Sequence, residues 1–514
     1  MKAIFKYTFM ALLGGMMLAS CSEDRIVTVP TQSMSGQGLL ANGKAALVPL
    51  NGIYREMYTS GWSTTGNTHQ CFGITAYNLC ADVMGEDHVM AAQGSGWFWF
   101  DAIYNVKGRF ANSAWRSYDL WFAFYTWISN ANYIIAAEET MGGSTEERNY
   151  AIGQAYAIRA YSYFMLSQYF ARTLVGHESD PCVPIYNNPT TPQTTGQPRA
   201  TNAEVYAQID KDIDKACELL KGIERYKDNK SHINYAVAQA LKARICMVEN
   251  KWAEAKAAAH EAINTSGCKI LPVASFIGMN NVGADNVMWG AEIISDQVGM
   301  YASFYSHMDY LSKVSYALKA PKCINLELYA KMSANDARRG WWFDVDGVGK
   351  VQQKFRFSDV STWMGDYIFM RVEEMYLTAA EAECRLGDDA AAKEDLYALM
   401  KQRDPNYSTI KTGTGLGKTS EKANETGSLL EEILIQRRIE LWGEFGRMYD
   451  LKRLKQGFKR TEAMGWPSGA LIPNVHTEDP EAYCNVLTIP QAEFDGNENM
   501  DGDKDQNPTG DYKK

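Results

Sequence analysis

The chain of 514 residues carries 51 Lys and Arg against 61 Asp and Glu, which gives a formal net charge of −10. This acidic balance argues against nucleic acids and anionic membrane surfaces as partners. Aromatic residues make up 12% of the sequence, with 13 Trp and 29 Tyr, which exceeds the needs of a core and indicates a binding surface.

The first twenty residues predict a secretory signal peptide that ends directly before a cysteine. Two lysines precede an apolar run over 7–17, and Leu-Ala-Ser leads into Cys21. The pattern resembles the lipobox of bacterial lipoproteins, in which the cysteine thiol is acylated after cleavage. The run is too short to cross a bilayer comfortably, so a retained membrane helix is the weaker interpretation. We predict a signal peptide over 1–20, lipidation at Cys21 and membrane contact through the lipid anchor only.

The residues after the cysteine predict a tether and then one folded domain. The segment 21–36 is polar and rich in Ser and Thr, which is typical of a flexible linker. We interpret 37–514 as a single domain that is mostly helical. Apolar residues recur at helical spacing over 145–170, 206–220 and 429–456.

Two further segments, 235–265 and 372–402, each predict a pair of antiparallel helices. This pattern is typical of tetratricopeptide repeats, in which small residues let two helices approach closely. The alternative is two unrelated alanine-rich hairpins, but the equal spacing favours repeats. The repeats are not adjacent in the chain, so they do not form a simple solenoid. The alanines, at steps of twelve and then seven residues, are Ala243, Ala255 and Ala262, and Ala379, Ala391 and Ala398.

Long irregular segments separate these helices and predict a loop-rich half inserted into the scaffold. We predict an all-α fold, with a tetratricopeptide-like helical scaffold and a large loop-rich half that contains few short strands, one of them over 286–294. The predicted scaffold comprises about 37–60, 113–265, 371–403 and 428–456, and the loop-rich half about 61–112 and 268–370.

Motifs between residues 115 and 508 carry a family resemblance. They are W…N-Y-I-I over 121–135, A-Y-A-I-R-A-Y-S-Y-F over 155–164 with Phe170 and Pro184 after it, R-V-E-E-M-Y-L-T-A-A-E-A over 371–382, Q-R-R-I-E-L…D-L-K-R over 436–453, I-P-Q-A-E over 489–493 and Q-N-P over 506–508. In this order they resemble the SusD/RagB family of outer-membrane lipoproteins from Bacteroidetes.

The resemblance implies that the loop-rich half binds the ligand. It also implies a cell-surface lipoprotein that captures oligo- or polysaccharide and delivers this glycan to a SusC-like TonB-dependent transporter. One branch of the family takes peptides, so a peptide-binding RagB-like uptake protein is the alternative. The acidic Ser22-Glu23-Asp24 resembles the signal that sends such lipoproteins to the outer face of the outer membrane.

The charged block over 437–453 predicts a partly buried ionic network. Its arginines and carboxylates recur at helical spacing, so ion pairs at i,i+3 and i,i+4 are available. We expect this network to fix the C-terminal helix against the scaffold and the ligand site to lie elsewhere.

Sugar recognition needs flat apolar ring faces together with polar groups placed for hydroxyls. The irregular segments 84–101 and 300–310 carry both kinds of side chain. Over 97–100 an extended backbone would place both tryptophans on one side and both phenylalanines on the other. The alternative is that these aromatic residues cover hydrophobic clusters beneath the loops. The predicted ligand-binding residues are Trp62, Asp87, Trp97, Trp99, Tyr301, Tyr305, Tyr310 and Trp341.

Motifs for catalysis, cofactors and metals are incomplete. His260-Glu261 lacks the second histidine of a zinc protease site. The loop 413–419 lacks one glycine of a phosphate-binding loop, and 501–505 begins like a calcium loop but lacks its glutamate at the twelfth position. We predict a binding protein that is not an enzyme and has no cofactor or metal. A glycosidase and a mainly structural lid for the transporter are the less favoured alternatives.

Nine cysteines besides Cys21 form no C-x-x-C pair, so neither a zinc cluster nor a thioredoxin-like site is indicated. Cys71 and Cys80 are the pair that we would test for a disulfide.

Overall fold

The computed structural model describes residues 36–62, 67–105, 115–224, 229–297, 302–313, 316–420 and 425–508. The predicted signal peptide, the lipidation site Cys21, nearly all of the tether and the predicted ligand residue Tyr301 lie outside the described residues.

Helix is the main secondary structure of the described residues. The helices of eight residues or more are α1 (Leu47–Glu56), α2 (Ile74–Val83), α3 (Trp115–Ala136), α4 (Thr145–Phe170), α5 (Asn202–Leu220), α6 (Tyr235–Val248), α7 (Trp252–Ser266), α8 (Val372–Arg385), α9 (Asp389–Met400), α10 (Leu429–Glu440) and α11 (Arg447–Leu454). Shorter helices span Gly36–Leu39, Trp99–Ala102, Phe304–Met308, Tyr316–Lys319, Leu326–Tyr329 and Gln491–Gly496.

The long helices stack in one continuous series. Each of α3 to α6 packs on the helix that follows it, and α8 packs on both α9 and α10. The hairpins α6–α7 and α8–α9 are far apart in the chain, yet α7 packs directly on α8. Ala243, Ala255, Ala262 and Ala379 are fully buried, as close helix approach requires, whereas Ala391 and Ala398 are half-buried.

Local signals explain where α4 begins. Ser144 accepts a hydrogen bond from the Glu147 backbone N–H, and the Glu147 side chain accepts one from the Ser144 N–H, which together form a capping box. The helix over 145–170 that periodicity predicts is therefore confirmed.

Three local predictions are wrong. The loop-rich segment 61–112 contains α2, which is fully buried, has only ten residues and begins without a side-chain cap, so few local signals mark it as a helix. The helix predicted over 429–456 breaks into α10 and α11, because Gly443 has φ 78° and a Cβ there would meet the Phe355 ring at 2.5 Å. The segment 97–100 is not extended, since Phe98 has φ 61° and Trp99 begins a short helix.

Short antiparallel strands join the two loop-rich segments. They are β1 (His88–Met90), β2 (Val287–Ala291), β3 (Lys322–Ile324), β4 (Trp342–Val345), β5 (Gly349–Gln352) and β6 (Tyr367–Arg371), in sheets of order β1-β3-β5-β4 and β2-β6. Strand β2 confirms the strand predicted within 286–294. Because β1 pairs with β3, the segment after α2 and the segment inserted between α7 and α8 form one unit.

The charged block is a buried ionic network, as predicted, but most of its bonds reach other elements. Arg453 pairs with Asp450 at i,i+3 spacing, whereas Arg437 reaches Asp450 thirteen residues away and Arg438 reaches Asp87. The network therefore joins the C-terminal helices to distant segments rather than supporting one helix.

The described cysteines are thiols, so the disulfide suggested for Cys71 and Cys80 is not formed. The Cys80 thiol instead donates a hydrogen bond to Asp101 at 3.4 Å.

Candidate functional site

Three half-exposed aromatic side chains from separate parts of the chain meet at the junction of the two loop-rich segments. The His69 and Trp97 rings stack with centroids 4.6 Å apart and an interplanar angle of 11°. Tyr316 closes the group, because its hydroxyl is hydrogen-bonded to His69 Nδ1 at 2.6 Å and its ring centroid lies 6.2 Å from that of Trp97. Phe100, which is 46% exposed, lies beside Gly96, the residue before Trp97. We call these four residues the aromatic ledge.

The backbone between Trp97 and Phe100 of the ledge has a strained conformation that buried neighbouring residues hold in place. Phe98 has φ 61°, a region that bulky residues rarely adopt, and its N–H donates to Gln70 Oε1 at 2.6 Å. Buried Arg116 donates to both carboxylate oxygens of Asp101 at 3.0 and 3.1 Å and to the Gln70 carbonyl at 3.1 Å. Such strain persists where the surroundings enforce it and is concentrated at binding sites.

A buried histidine forms the floor of the ledge. The His307 Nε2–H donates to the His69 carbonyl at 2.7 Å, and its ring stacks on Phe72. Burial, and then the charge of Lys322, hold the pKa of His307 well below its usual value, so this imidazole is neutral at physiological pH. The floor is therefore an uncharged support for the exposed rings.

Four predicted ligand residues lie in the interior: Asp87, Trp99, Tyr305 and Trp341. Asp87 binds Arg438 at 2.6 Å, and the Tyr305 hydroxyl lies 2.7 Å from the Met279 carbonyl. The Lys354 ammonium lies 4.5 Å from the Trp341 ring centroid. These side chains serve packing and ion pairing and present no open face to a ligand, so we exclude them from the site.

Of the predicted residues that the structure describes, only Trp97 belongs to the ledge. Trp62 is half-buried against Phe122, with ring centroids 5.6 Å apart, and half-exposed Tyr310 packs near Phe343. Sequence reasoning missed His69, Phe100 as an exposed ring, and Tyr316. The sequence signal for these residues was an aromatic side chain within a polar loop. Many loops have this feature, so it does not single out a binding site.

The phosphate-like loop and the acidic tail have other bonding partners. The backbone N–H of Gly413 donates to Asp389 at 2.9 Å and that of Gly417 to Glu431 at 2.8 Å. Carboxylates therefore occupy donors that a phosphate would need. In the 501–505 segment Asp501 lies 3.3 Å from the Lys504 ammonium.

A histidine and two carboxylates meet between the two helical hairpins. His260 Nε2 on α7 lies 2.7 Å from Asp395 on α9 and 3.7 Å from Glu383 on α8. Burial, and then the charge of Asp395, raise the pKa of Glu383 to about 7. The hydrogen bond with Asp395 also raises the pKa of His260.

Glu383→Gln is expected to stabilise the protein at pH 8 by about 1–2 kcal/mol and to have little effect at pH 5. The folded pKa of Glu383 lies above its unfolded value, so the stability linked to its proton is lost as the pH rises through about 7. Urea unfolding at both pH values measures this, with exposed Glu394→Gln as the control. An equal effect of Glu383→Gln at both pH values would contradict the raised pKa.

Comparisons with known proteins identify the fold family. A family model described as "Starch-binding associating with outer membrane" matches residues 75–247, and a model described as "SusD family" matches residues 345–509. The chain belongs to the SusD/RagB family. No curated protein is similar enough in sequence to be matched. Among the described helices, none has the length and apolarity needed to span a membrane.

Solved structures of SusD-type proteins share the fold at low identity. A SusD-like carbohydrate binding protein from Bacteroides vulgatus ATCC 8482 is 23% identical with a TM-score of 0.74, over 90% of this chain and 97% of its own. A SusD superfamily protein from Bacteroides thetaiotaomicron VPI-5482 is 22% identical with a TM-score of 0.73, over 91% and 100%. Surface glycan-binding protein A from Bacteroides uniformis is 19% identical with a TM-score of 0.65, over 91% and 100%. The predicted SusD-like, mostly helical fold is confirmed.

Proposed function

We propose that this SusD-family protein captures oligo- or polysaccharide at the aromatic ledge and passes the glycan to a SusC-like TonB-dependent transporter. It is a lipoprotein of the outer membrane, anchored through Cys21 and facing the cell exterior. It binds without catalysis and needs no cofactor. The observation that carries the proposal is the ledge itself, in which half-exposed rings from distant loops are held together over a buried support.

The chemistry of the ledge suits a pyranose. Flat rings cover the C–H face of a sugar, and Trp and Tyr lose little conformational entropy when a ligand docks. The His69–Tyr316 hydrogen bond and the bond from the Phe98 N–H to Gln70 hold the rings in place before a ligand arrives. Binding therefore costs little conformational entropy. The two similar structures described as carbohydrate-binding and glycan-binding proteins support this ligand class.

Isothermal titration of the mature protein against neutral glycans, acidic glycans and peptides tests the proposal. We expect a subset of glycans to bind and peptides not to bind. Binding of peptides alone would favour the RagB-like alternative. Release of reducing sugar that a single Asp or Glu substitution abolishes would favour a glycosidase.

Cys21→Ala is expected to leave glycan affinity in solution unchanged but to lower uptake by intact cells about tenfold or more. The lipid keeps the binding domain at high effective concentration near the transporter, and the substitution removes that advantage. Uptake of labelled glycan measures the effect, with Thr31→Ala as a control in the same segment. Normal uptake by the Cys21→Ala strain would contradict the anchor.

A further inference from the structure

A cleft of about 490 Å³ opens along α3, lined by residues that the ledge does not contain. One wall is a face of α3 on which Tyr118, Phe122, Tyr125 and Ser129 recur at helical spacing. The opposite wall comes from the loop before α5 and from the short helix Gln491–Gly496. The volume is in the range of small-molecule sites in proteins.

The aromatic wall offers ring faces at several points along the cleft. Tyr118 and Phe122 are half-exposed and stack on each other with an interplanar angle of 11°. Tyr125 and Tyr186 meet edge to face from opposite walls, with centroids 6.0 Å apart and an interplanar angle of 81°. These rings are more than a surface helix needs, because the core-facing side of α3 is already filled by residues such as Phe124 and Trp127.

One carboxylate of the cleft is fixed by its neighbours. Glu493 Oε2 accepts a hydrogen bond from Trp121 Nε1 at 3.0 Å, and Oε1 accepts one from Asn497 Nδ2 at 2.7 Å. Each carboxylate oxygen can accept a further bond. The other polar lining groups are hydroxyls and amides, such as Ser129 and Asn130, and none of the described lining residues is a cation.

We infer that this cleft is a second saccharide-binding site, for neutral oligosaccharide, distinct from the aromatic ledge. Ring faces with a fixed acceptor and neutral donors suit a ligand of C–H faces and hydroxyls, whereas an anionic ligand would lack a cationic partner. A peptide fits less well, because one wall is a helix whose backbone groups bond internally and offer no strand edge. The inference rests on the proposed function and extends its glycan to a second contact.

The loop before the ledge places the two sites in reach of one long ligand. Ser60 Oγ donates to the Thr68 carbonyl at 2.6 Å, directly before His69 of the ledge. Two residues along from Ser60, Trp62 packs on Phe122 of the cleft. Once a long glycan is bound at one site, its binding at the other site is intramolecular. The overall affinity of the long glycan therefore rises, whereas that of a short fragment does not.

Titration of the mature protein with short and long forms of the bound glycan tests the inference. Tyr118→Ala/Phe122→Ala is expected to weaken the long oligosaccharide about tenfold and to leave a disaccharide bound at the ledge unchanged. Thr126→Trp, which fills the cleft without removing a ring, is expected to act in the same way. Ile410→Ala, at an exposed position elsewhere, is the control.

The outcomes separate the two proposals. Unchanged affinity for the long oligosaccharide in both cleft variants overturns the second site while ledge binding stands. A wild type that binds no glycan of any length overturns the ledge and the cleft together. Variants that keep full glycan affinity but lose association with the transporter identify the cleft as a protein-docking face, which also overturns the inference.

Discussion

Glu440→Gln is expected to lower the free energy of unfolding by about 3–5 kcal/mol, because it leaves buried arginines without their shared carboxylate. Arg403 donates to both Glu440 oxygens, at 2.8 and 2.9 Å. Arg371 and Arg338 bind the same carboxylate at 3.2 and 3.3 Å. All four side chains are fully buried.

The pKa of Glu440 follows from this environment. Burial disfavours its charge, but the guanidinium groups of Arg403 and then of Arg371 and Arg338 outweigh that cost and hold the pKa well below its usual value. A depressed folded pKa means that the stabilisation is complete above the unfolded pKa and is lost as the pH falls. The difference between wild type and Glu440→Gln should therefore be largest near neutral pH.

Urea unfolding monitored by circular dichroism measures the loss. Glu218→Gln is the matched control, since Glu218 is 70% exposed and pairs with Lys215 on the surface. Such a pair contributes at most about 1 kcal/mol. Similar losses in the two variants would show that the network around Glu440 contributes no more than a surface ion pair.

The network also shows which parts of the fold the sequence could predict. The helix over 145–170 was predictable because its capping box and the helical spacing of its apolar residues are both local features. Helix α2 was not, because it has only ten residues and begins after Gly73 without a side-chain cap. The break between α10 and α11 depends on the approach of Phe355 to Gly443, and no local pattern records that contact.

The ledge was only partly predictable for a related reason. Trp97 stands in an aromatic loop, so its segment could be singled out as a binding surface. His69 and Tyr316 join it through the pairing of β1 with β3, which brings together segments far apart in the chain. Asp87 and Tyr305 are residue types that often contact sugars, but in this fold both side chains are buried by the residues they bond to. A single sequence does not reveal those bonding partners.

Trp97→Ala/Tyr316→Ala is expected to weaken glycan binding at the ledge by about a hundredfold, near 1.4 kcal/mol for each ring. Each single variant should lose about tenfold. Because both rings contact His69, either loss loosens the other, so the two effects need not be additive. Titration with a disaccharide in a Tyr118→Ala/Phe122→Ala background isolates this site, since that background removes the rings of the cleft along α3.

Two control variants distinguish a loss of ligand contact from a loss of stability. Trp97→Phe keeps a flat ring beside His69 and should bind the disaccharide more tightly than Trp97→Ala does. If Trp97 had only a structural role, the two variants would differ in Tm but not in their affinity for the disaccharide. Tyr235→Ala removes a half-exposed ring from the scaffold helix α6 and should leave binding unchanged. If Tyr235→Ala reduced the affinity as much as the double variant, the loss would reflect general destabilisation. If the double variant bound as tightly as wild type with an unchanged Tm, the glycan would not be held at the ledge.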